Sequence, residues 1–419
     1  MQVGDKGHDD SRRKSVMEAN GPLSGLRVLD LTHAVAGPYG TMLLADMGAD
    51  VIKVEKPLGG DLVRNLGSPL EGTPDKDYFF SVNRNKQSVA IDMKEQRGRD
   101  LVLELGSHAD VVVQNLRPGA AERLGLGFED LQAVRPDVIY CGVTGFGPTG
   151  PWASRSANDT IIQSTSGLMS MTGEPNGAPV RIGPPIIDLA TGIYLYGAVV
   201  TALLQREQHP EGQHISISML DVAFSMMANY IPAAATRGEE IPRMGRGHAQ
   251  IAPYDAFTCG DGRALIVGAF NENSWRGLCE VIDQQEWLDD PRYKTNADRL
   301  EHRGELTADL EAIFGTAPLD EWADKLEAAG VIANPVYPLH EVIQSEQAKA
   351  NGNPVAIELD DGRVAHTAKD PMTSTSWPLQ PTRRPPGLGQ HTDGVLSGLL
   401  GLDESRLSAL EAQGVIRRV

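Results

Sequence analysis

The sequence predicts an α/β protein: a doubly wound, parallel-sheet large domain plus a smaller α+β domain. Three observations carry that expectation. From Gly25 to about Val143, short β-rich runs alternate with helical patterns, and strands separated by helices form parallel sheets covered on both faces. At 419 residues the chain exceeds what one ordinary core organises. Beyond Ile231 the texture shifts to proline, glycine and charge, and a hairpin pattern replaces the alternation.

RVLDL reads as the first strand, Tyr39 to Met47 as a helix closed by Gly48, and DVIKVE as the second strand. QSVAIDM, a helix over Gly98 to Leu105 and DVVVQN follow. Short helices near Ala120 to Leu124 and Phe128 to Val134 then lead to DVIYCGV. Ligands of such sheets bind at the carboxyl ends of the strands. From Asp188 to about Gln208 a nearly all-apolar helix is expected to be buried all round, with Gly192 and Gly197 permitting close packing. Another helix is expected near Ser218 to Tyr230.

The large domain should therefore span 21–230, after a disordered leader over 1–20. Residues 231–247 read as a linker and 248–335 as the small domain. That domain opens with a hairpin turning at Gly260-Asp261-Gly262 and contains helices over Asn273 to Ile282 and Leu319 to Ala329. Residues 336–419 read as a linker and a C-terminal segment returning to the large domain, with a helix over Asp403 to Gln413.

Composition narrows the function. With 38 Lys plus Arg against 56 Asp plus Glu, the formal charge is −18, which repels nucleic acid and anionic membranes. Any anionic ligand must be held by local cations. The three cysteines, Cys141, Cys259 and Cys279, form no CxxC pair, which fits a reducing compartment and gives no cysteine-rich metal site. The polar N-terminus has no apolar signal-peptide core, and the mostly apolar stretch Leu189 to Leu204 is shorter than the ~20 residues of a membrane span. A cytoplasmic location, with no metal, is expected.

Individual residues carry competing readings. GFGPTG, Gly145 to Gly150, matches the dinucleotide fingerprint, but Pro148 and Pro151 interrupt the helix the fingerprint needs, so a turn is the better reading. Asp188, in GPPIIDLATG, stands where a helix N-cap is favoured. The same helix start would hold its carboxylate charged and aimed, as a nucleophile requires. His33, in the loop after the first strand, is either structural or placed for function by that strand end. Lys53, Lys56, Lys86, Arg117 and Arg123 read most simply as solvated surface charges, or else as the cations an anionic cofactor needs.

The segments LRVLDLTHAVAGPYGTMLLADMGADVIKVEKP, SVNRNKQSVAIDMK, DVVVQNLRPGAAERLGLG, VIYCGVTGFGPTGP, PVRIGPPIIDLATG, PYDAFTCGDG and GLGQHT stand in this order. Together they resemble the class III CoA-transferases, the CaiB/BaiF family of formyl-CoA transferase and carnitine CoA-transferase. The resemblance implies a dimer of chains threaded through each other. It also implies coenzyme A and acyl-CoA as substrates, no permanently bound cofactor, and Asp188 as the nucleophile. CoA contacts are implied at His33, Ala34, Ala36, Lys56, Lys86, Asn115, Leu116 and Arg123, and an acidic active-site position at Asp159. The α-methylacyl-CoA racemases of the family place a general acid/base histidine where this chain has Asn158, which has no titratable proton. The formyl-CoA branch has a glutamine where this chain has Val35, and a glycine run in place of the loop from Gly245 to Gln250. NRNKQSV and GHAQIAPYDAF are closer to the succinate–hydroxymethylglutarate CoA-transferase branch. Val35 is thus expected at the substrate, and Arg246 or His248 at the distal carboxylate of a dicarboxylate. A racemase or a non-catalytic CoA-binding protein are the alternatives.

Overall fold

Seven short runs rich in Val and Ile assemble into one sheet. The computed structural model describes residues 21–70, 76–359, 361–377 and 382–419; the leader expected over 1–20 lies outside them. In chain order the sheet strands are β1 (Arg27–Leu31), β2 (Asp50–Glu55), β3 (Gln87–Ile91), β4 (Val111–Gln114), β5 (Ile139–Thr144), β6 (Gln213–Ser218) and, near the C-terminus, Ile416–Arg417. Their spatial order is C-terminal strand, β3, β2, β1, β4, β5, β6. All neighbours are parallel except the C-terminal strand, which runs antiparallel to β3. The order reverses direction beside β1, between β2 and β4, and crevices that take ligands open at such switch points.

Helices α1 (Ala36–Asp46), α2 (Asp77–Val82), α3 (Gln96–Ser107), α4 (Ala120–Arg123) and α5 (Phe128–Val134) connect the strands. On one face a core of Leu29, Ile52, Val89, Val112 and Tyr140 packs under Val102 and Leu105 of α3, Leu131 of α5, and Leu396 and Leu407 from the C-terminal segment. Two helices precede β6: α6 (Asp159–Thr165) and the long α7 (Ile186–Arg206). Helix α8 (Met219–Met226) follows it.

The contact of α1 with α7 is the closest helix crossing of the sheet's other face. A methyl on Gly192 would lie 2.9 Å from the Ala36 carbonyl oxygen and 2.8 Å from the Tyr39 ring; one on Gly40 would lie 2.8 Å from the Gly192 carbonyl oxygen. The two backbones therefore touch directly. The expectation that α7 is buried all round is not met. Ile193 and Leu204 are 56% and 64% exposed, and Tyr194 is exposed beside them. Helix α7 also runs 21 residues, long and apolar enough by those measures alone to cross a membrane. Here its other side packs on α1, α6, α8, β5 and β6.

The chain divides into two compact units. The first takes the described residues up to Ser166, Ile182–Ile231 and everything from Asn351; the second takes Gly167–Arg181 and Pro232–Ala350. The stretch 167–181, expected in the large domain, thus belongs to the second unit, which extends to Ala350 instead of ending at 335. That unit holds the three-stranded antiparallel sheet of β7 (Tyr254–Thr258), β8 (Ala264–Gly268) and β9 (Ile332–Pro335). Its core stacks Phe257, Trp275, Trp287, Tyr293 and Phe314.

Lys53 and Lys86, read as surface charges or cofactor cations, with Lys86 implied at CoA, are instead buried in the first unit. The Lys86 ammonium lies 3.1 Å from Asp30 and donates to the Pro38 carbonyl and Asn83. The Lys53 ammonium pairs with Asp61 at 2.9 Å and donates to the Thr32 carbonyl at 2.7 Å. Burial alone would raise the Asp30 carboxyl, but Lys86, Lys53 and the hydroxyls of Thr32 and Thr41 outweigh it and hold it below the usual range. Removing one partner of such a pair leaves an uncompensated buried charge. Asp30→Asn is expected to lower unfolding free energy by about 3–5 kcal/mol in urea titrations; a loss near zero would show that the pairs do not stabilise the fold.

Candidate active site

The loop between β1 and α1 has almost every backbone group clamped. The Thr32 N–H donates to Asp30 and the Thr32 carbonyl accepts from Lys53. The His33 N–H donates to Asn115 Oδ1 at 2.9 Å, and the Asn115 amide returns a bond to the His33 carbonyl at 2.7 Å. The Ala34 N–H donates to Asp61 at 3.1 Å. Ala34 sits at φ 66°, a left-handed conformation that costs a residue with a Cβ, and such strain concentrates at functional sites. The four groups that clamp this loop come from β1, β2, the stretch after β2, and the end of β4.

Beyond the loop lies a cavity of about 800 Å³. It gathers His33, Ala34 and Ala36 from the first loop, Lys56 after β2, Asn115 and Leu116 after β4, Arg123 of α4, and Asp188. These are seven of the eight residues expected at CoA, joined by the expected nucleophile. Lys94, Arg117 and Arg155 complete its cationic lining. Lys94 follows the carboxyl end of β3 inside SVAIDMK, so the strand-end rule could have found it. Arg155 lies in a loop with no sequence signal; it stands 4.8 Å over the Trp152 ring. In a chain of charge −18, this rim supplies the local cations that an anionic ligand requires.

Lys86 and Val35, also expected at the site, are not among the residues lining this cavity. Lys86 is the buried partner of Asp30, at the amino end of β3. It lines a separate cavity of about 420 Å³ with Arg383, Arg384 and His391. Val35 turns into the core with Val63, Phe79 and Val82. Arg246 and His248 belong to the second unit. There Arg246 pairs with Glu311 at 2.8 Å and Asp255 at 3.5 Å, and His248 stacks on Tyr254.

Asp188 is not the helix cap. Helix α7 starts two residues earlier, with Pro185 at the cap position and no capping side chain of its own. Asp188 is the third helical residue and reaches the cavity. The cap comes from α6 instead. Asp159 accepts the N–H groups of Ile187 at 2.8 Å and Asp188 at 3.2 Å. Asn158 lines the cavity and caps α6 by accepting the Ile161 N–H at 3.0 Å.

Nor does the helix start keep Asp188 charged at low pH. Burial, followed by repulsion from Asp159, pushes its carboxyl up to about 7. Burial likewise lowers the His33 imidazole from its ordinary value. A carboxyl whose ionised form is disfavoured in a cleft is a marker of a functional site.

With the geometry in place, comparison with known proteins decides the family. The model of CoA-transferase family III matches residues 23–392. This chain belongs to that family. The transferase is 37% identical to the mouse succinyl-CoA:glutarate CoA-transferase, over 99% of this chain and 95% of the relative. It is 38% identical to the succinate–glutarate CoA-transferase of Agrobacterium fabrum, over 90% of this chain and 96% of that one. Among solved structures, a CaiB/BaiF family protein from Brucella suis superposes with a TM-score of 0.83 at 35% identity, covering 91% of this chain and all of the other. As a class III CoA-transferase, the enzyme takes CoA thioesters as substrates.

The raised Asp188 carboxyl fixes a sign. Stability from its neutral form is fully present below the unfolded value near 3.8 and is lost as pH rises through about 7. Asp188→Asn removes that loss. The transferase variant is expected to melt above the wild type at pH 8, with the gain shrinking to nothing below pH ~4; a gain independent of pH would contradict the raised carboxyl.

Proposed function

We propose that this CoA-transferase moves CoA from a dicarboxylic acyl-CoA, with succinyl-CoA as the first donor to test, to a second carboxylate such as glutarate, through covalent intermediates on Asp188. The observation that carries the reading is Asp188 at the cationic cavity, on a buried helix start beside the clamped first loop. The dicarboxylate substrates are supported by the names of the mouse and Agrobacterium fabrum relatives.

In this reading an Asp188 oxygen attacks the thioester carbonyl. The carbon–sulfur bond breaks, an aspartyl anhydride forms, and CoA leaves as thiolate. The thiolate attacks the aspartyl carbonyl, releasing the donor acid and leaving an aspartyl-CoA thioester. The acceptor carboxylate then displaces CoA to give a second anhydride. Attack of the thiolate on the acceptor's acyl carbon forms the product and returns the Asp188 carboxylate. Each step exchanges leaving groups without input of energy, the use to which a covalent carboxylate is suited. Lys56, Lys94, Arg117, Arg123 and Arg155 hold the anionic CoA while its acyl end reaches the first loop. A racemase would need an acid/base group at Asn158, which is instead a helix cap.

The exposed apolar residues of α7, with Phe224 and Met226 of α8, support a homodimer in which a second chain covers them. Light scattering is expected to give twice the chain mass; a monomer at assay concentration removes the dimer.

Transfer is tested directly by incubating the enzyme with succinyl-CoA and glutarate and following glutaryl-CoA. Asp188→Asn is expected to lower kcat by at least ~10³-fold. Hydroxylamine added with succinyl-CoA should convert Asp188 to its hydroxamate, read by mass spectrometry. An unmodified Asp188 in an active enzyme, with full activity in Asp188→Asn, removes the covalent mechanism. The acid limb of kcat/KM should fall near pH 7, because the protonated carboxyl does not attack.

A further inference from the structure

We propose that Asp159 is the positioning residue for Asp188: it caps the helix that carries the nucleophile, and its fixed negative charge favours the acylated, uncharged state of Asp188 over the free carboxylate. The inference rests on the covalent reading above.

The geometry is specific. Asp159 is 7% exposed. One carboxylate oxygen accepts the Ile187 and Asp188 amides, and the other accepts the Gln163 side-chain amide at 2.5 Å. Gln163, fully buried, accepts in turn from the Ile182 N–H at 2.9 Å. Two of the unpaired amides at the start of α7 are thus satisfied from another helix, which is itself tied to the strand of chain entering α7. The backbone at Asp188 is held at the residue itself, so its carboxylate has only side-chain torsions left to set its aim.

The same contact has an electrostatic side. No cation pairs with Asp159 among the described residues, so amide dipoles alone balance its charge. Of the titratable groups on elements packed against α7, Tyr39 and Asp46 lie on α1, Tyr140 and Cys141 on β5, His214 on β6, and Asp221 on α8. After burial, it is the charge of Asp159, whose carboxylate accepts the Asp188 amide, that raises the Asp188 carboxyl.

Attack on the thioester forms an oxygen–carbon bond on Asp188 and breaks the carbon–sulfur bond. The negative charge leaves Asp188 with the thiolate sulfur. Two neighbouring carboxylates become one carboxylate beside a neutral acyl group, and their repulsion ends. What opposes the bare carboxylate therefore favours any uncharged form of Asp188, acylated or protonated. The charge returns to Asp188 only when the adduct is discharged.

Asp159→Asn keeps an oxygen acceptor for the two amides and removes the charge. Its acid limb of kcat/KM is expected to move down by at least about one pH unit. The fraction of Asp188 trapped as hydroxamate from succinyl-CoA is expected to fall about tenfold, the equilibrium equivalent of one such unit. Asp159→Glu restores the charge: the limb should stay at its wild-type position while kcat falls, because the longer side chain misplaces the cap. A cap without electrostatic consequence would move neither limb nor trapped fraction in Asp159→Asn, and that result overturns the proposal. If Asp159→Asn does not fold, a limb displaced to lower pH in Asp159→Glu overturns it instead. A wild-type enzyme that transfers CoA with no trapped Asp188 would overturn the covalent reading itself, a distinct outcome.

Discussion

The buried pairing of two lysines with two aspartates, across the adjacent strands β1, β2 and β3, is the constraint on which the rest of the molecule depends. Asp30 and Lys86 lock the end of β1 to the residue before β3, while Lys53 and Asp61 lock β2 to the stretch after it. All four are buried, so each charge has exchanged water for a partner and for fixed hydrogen bonds. Their effect is to leave the first loop without freedom. Thr32, His33 and Ala34 have their amides or carbonyls assigned to named side chains. The left-handed Ala34 is tolerated because the surrounding bonds over-determine it.

This arrangement reconciles an acidic protein with an anionic substrate class. Two cations near the first loop, Lys53 and Lys86, are spent inside the fold, and the five on the cavity rim are left to face solvent. The interior lysines shape the loop, and the rim cations line the cavity. Asp188 stands where the two sets adjoin, in surroundings dry enough to make its own charge unfavourable.

Much of this was legible in the sequence. Apolar runs of four to six residues separated by helical patterns placed β1 to β5, because each strand is buried on both faces, and placed α1, α3, α4 and α5 to within three residues, but not α2. Strand β6 escaped because QHISIS lies at the sheet edge with alternate residues exposed, so its polar positions hide it. The C-terminal strand is two residues long and owes its place to pairing with β3. Within the site, the family resemblance supplied Asn115, and strand-end position pointed to His33, Lys56 and Arg123. It misread Lys53 and Lys86, whose burial depends on Asp61 and Asp30, distant in sequence. Asp188 was found but given the wrong place on its helix. The cap that makes it start at Ile186 is supplied by Asp159 across 28 residues, a tertiary contact that no local pattern announces.

The meeting of Gly40 and Gly192 has a mechanical reading as well. These two positions carry the first loop's helix and the helix of Asp188 against each other with nothing but backbone between them. The gap between the two helix backbones is therefore set by the thickness of two peptide chains, a length no rotamer can adjust. Side chains elsewhere can relax to absorb an error; here the spacing is a dimension of the polymer itself. The separation of the first loop's helix from the helix that carries Asp188 is consequently machined into the backbone.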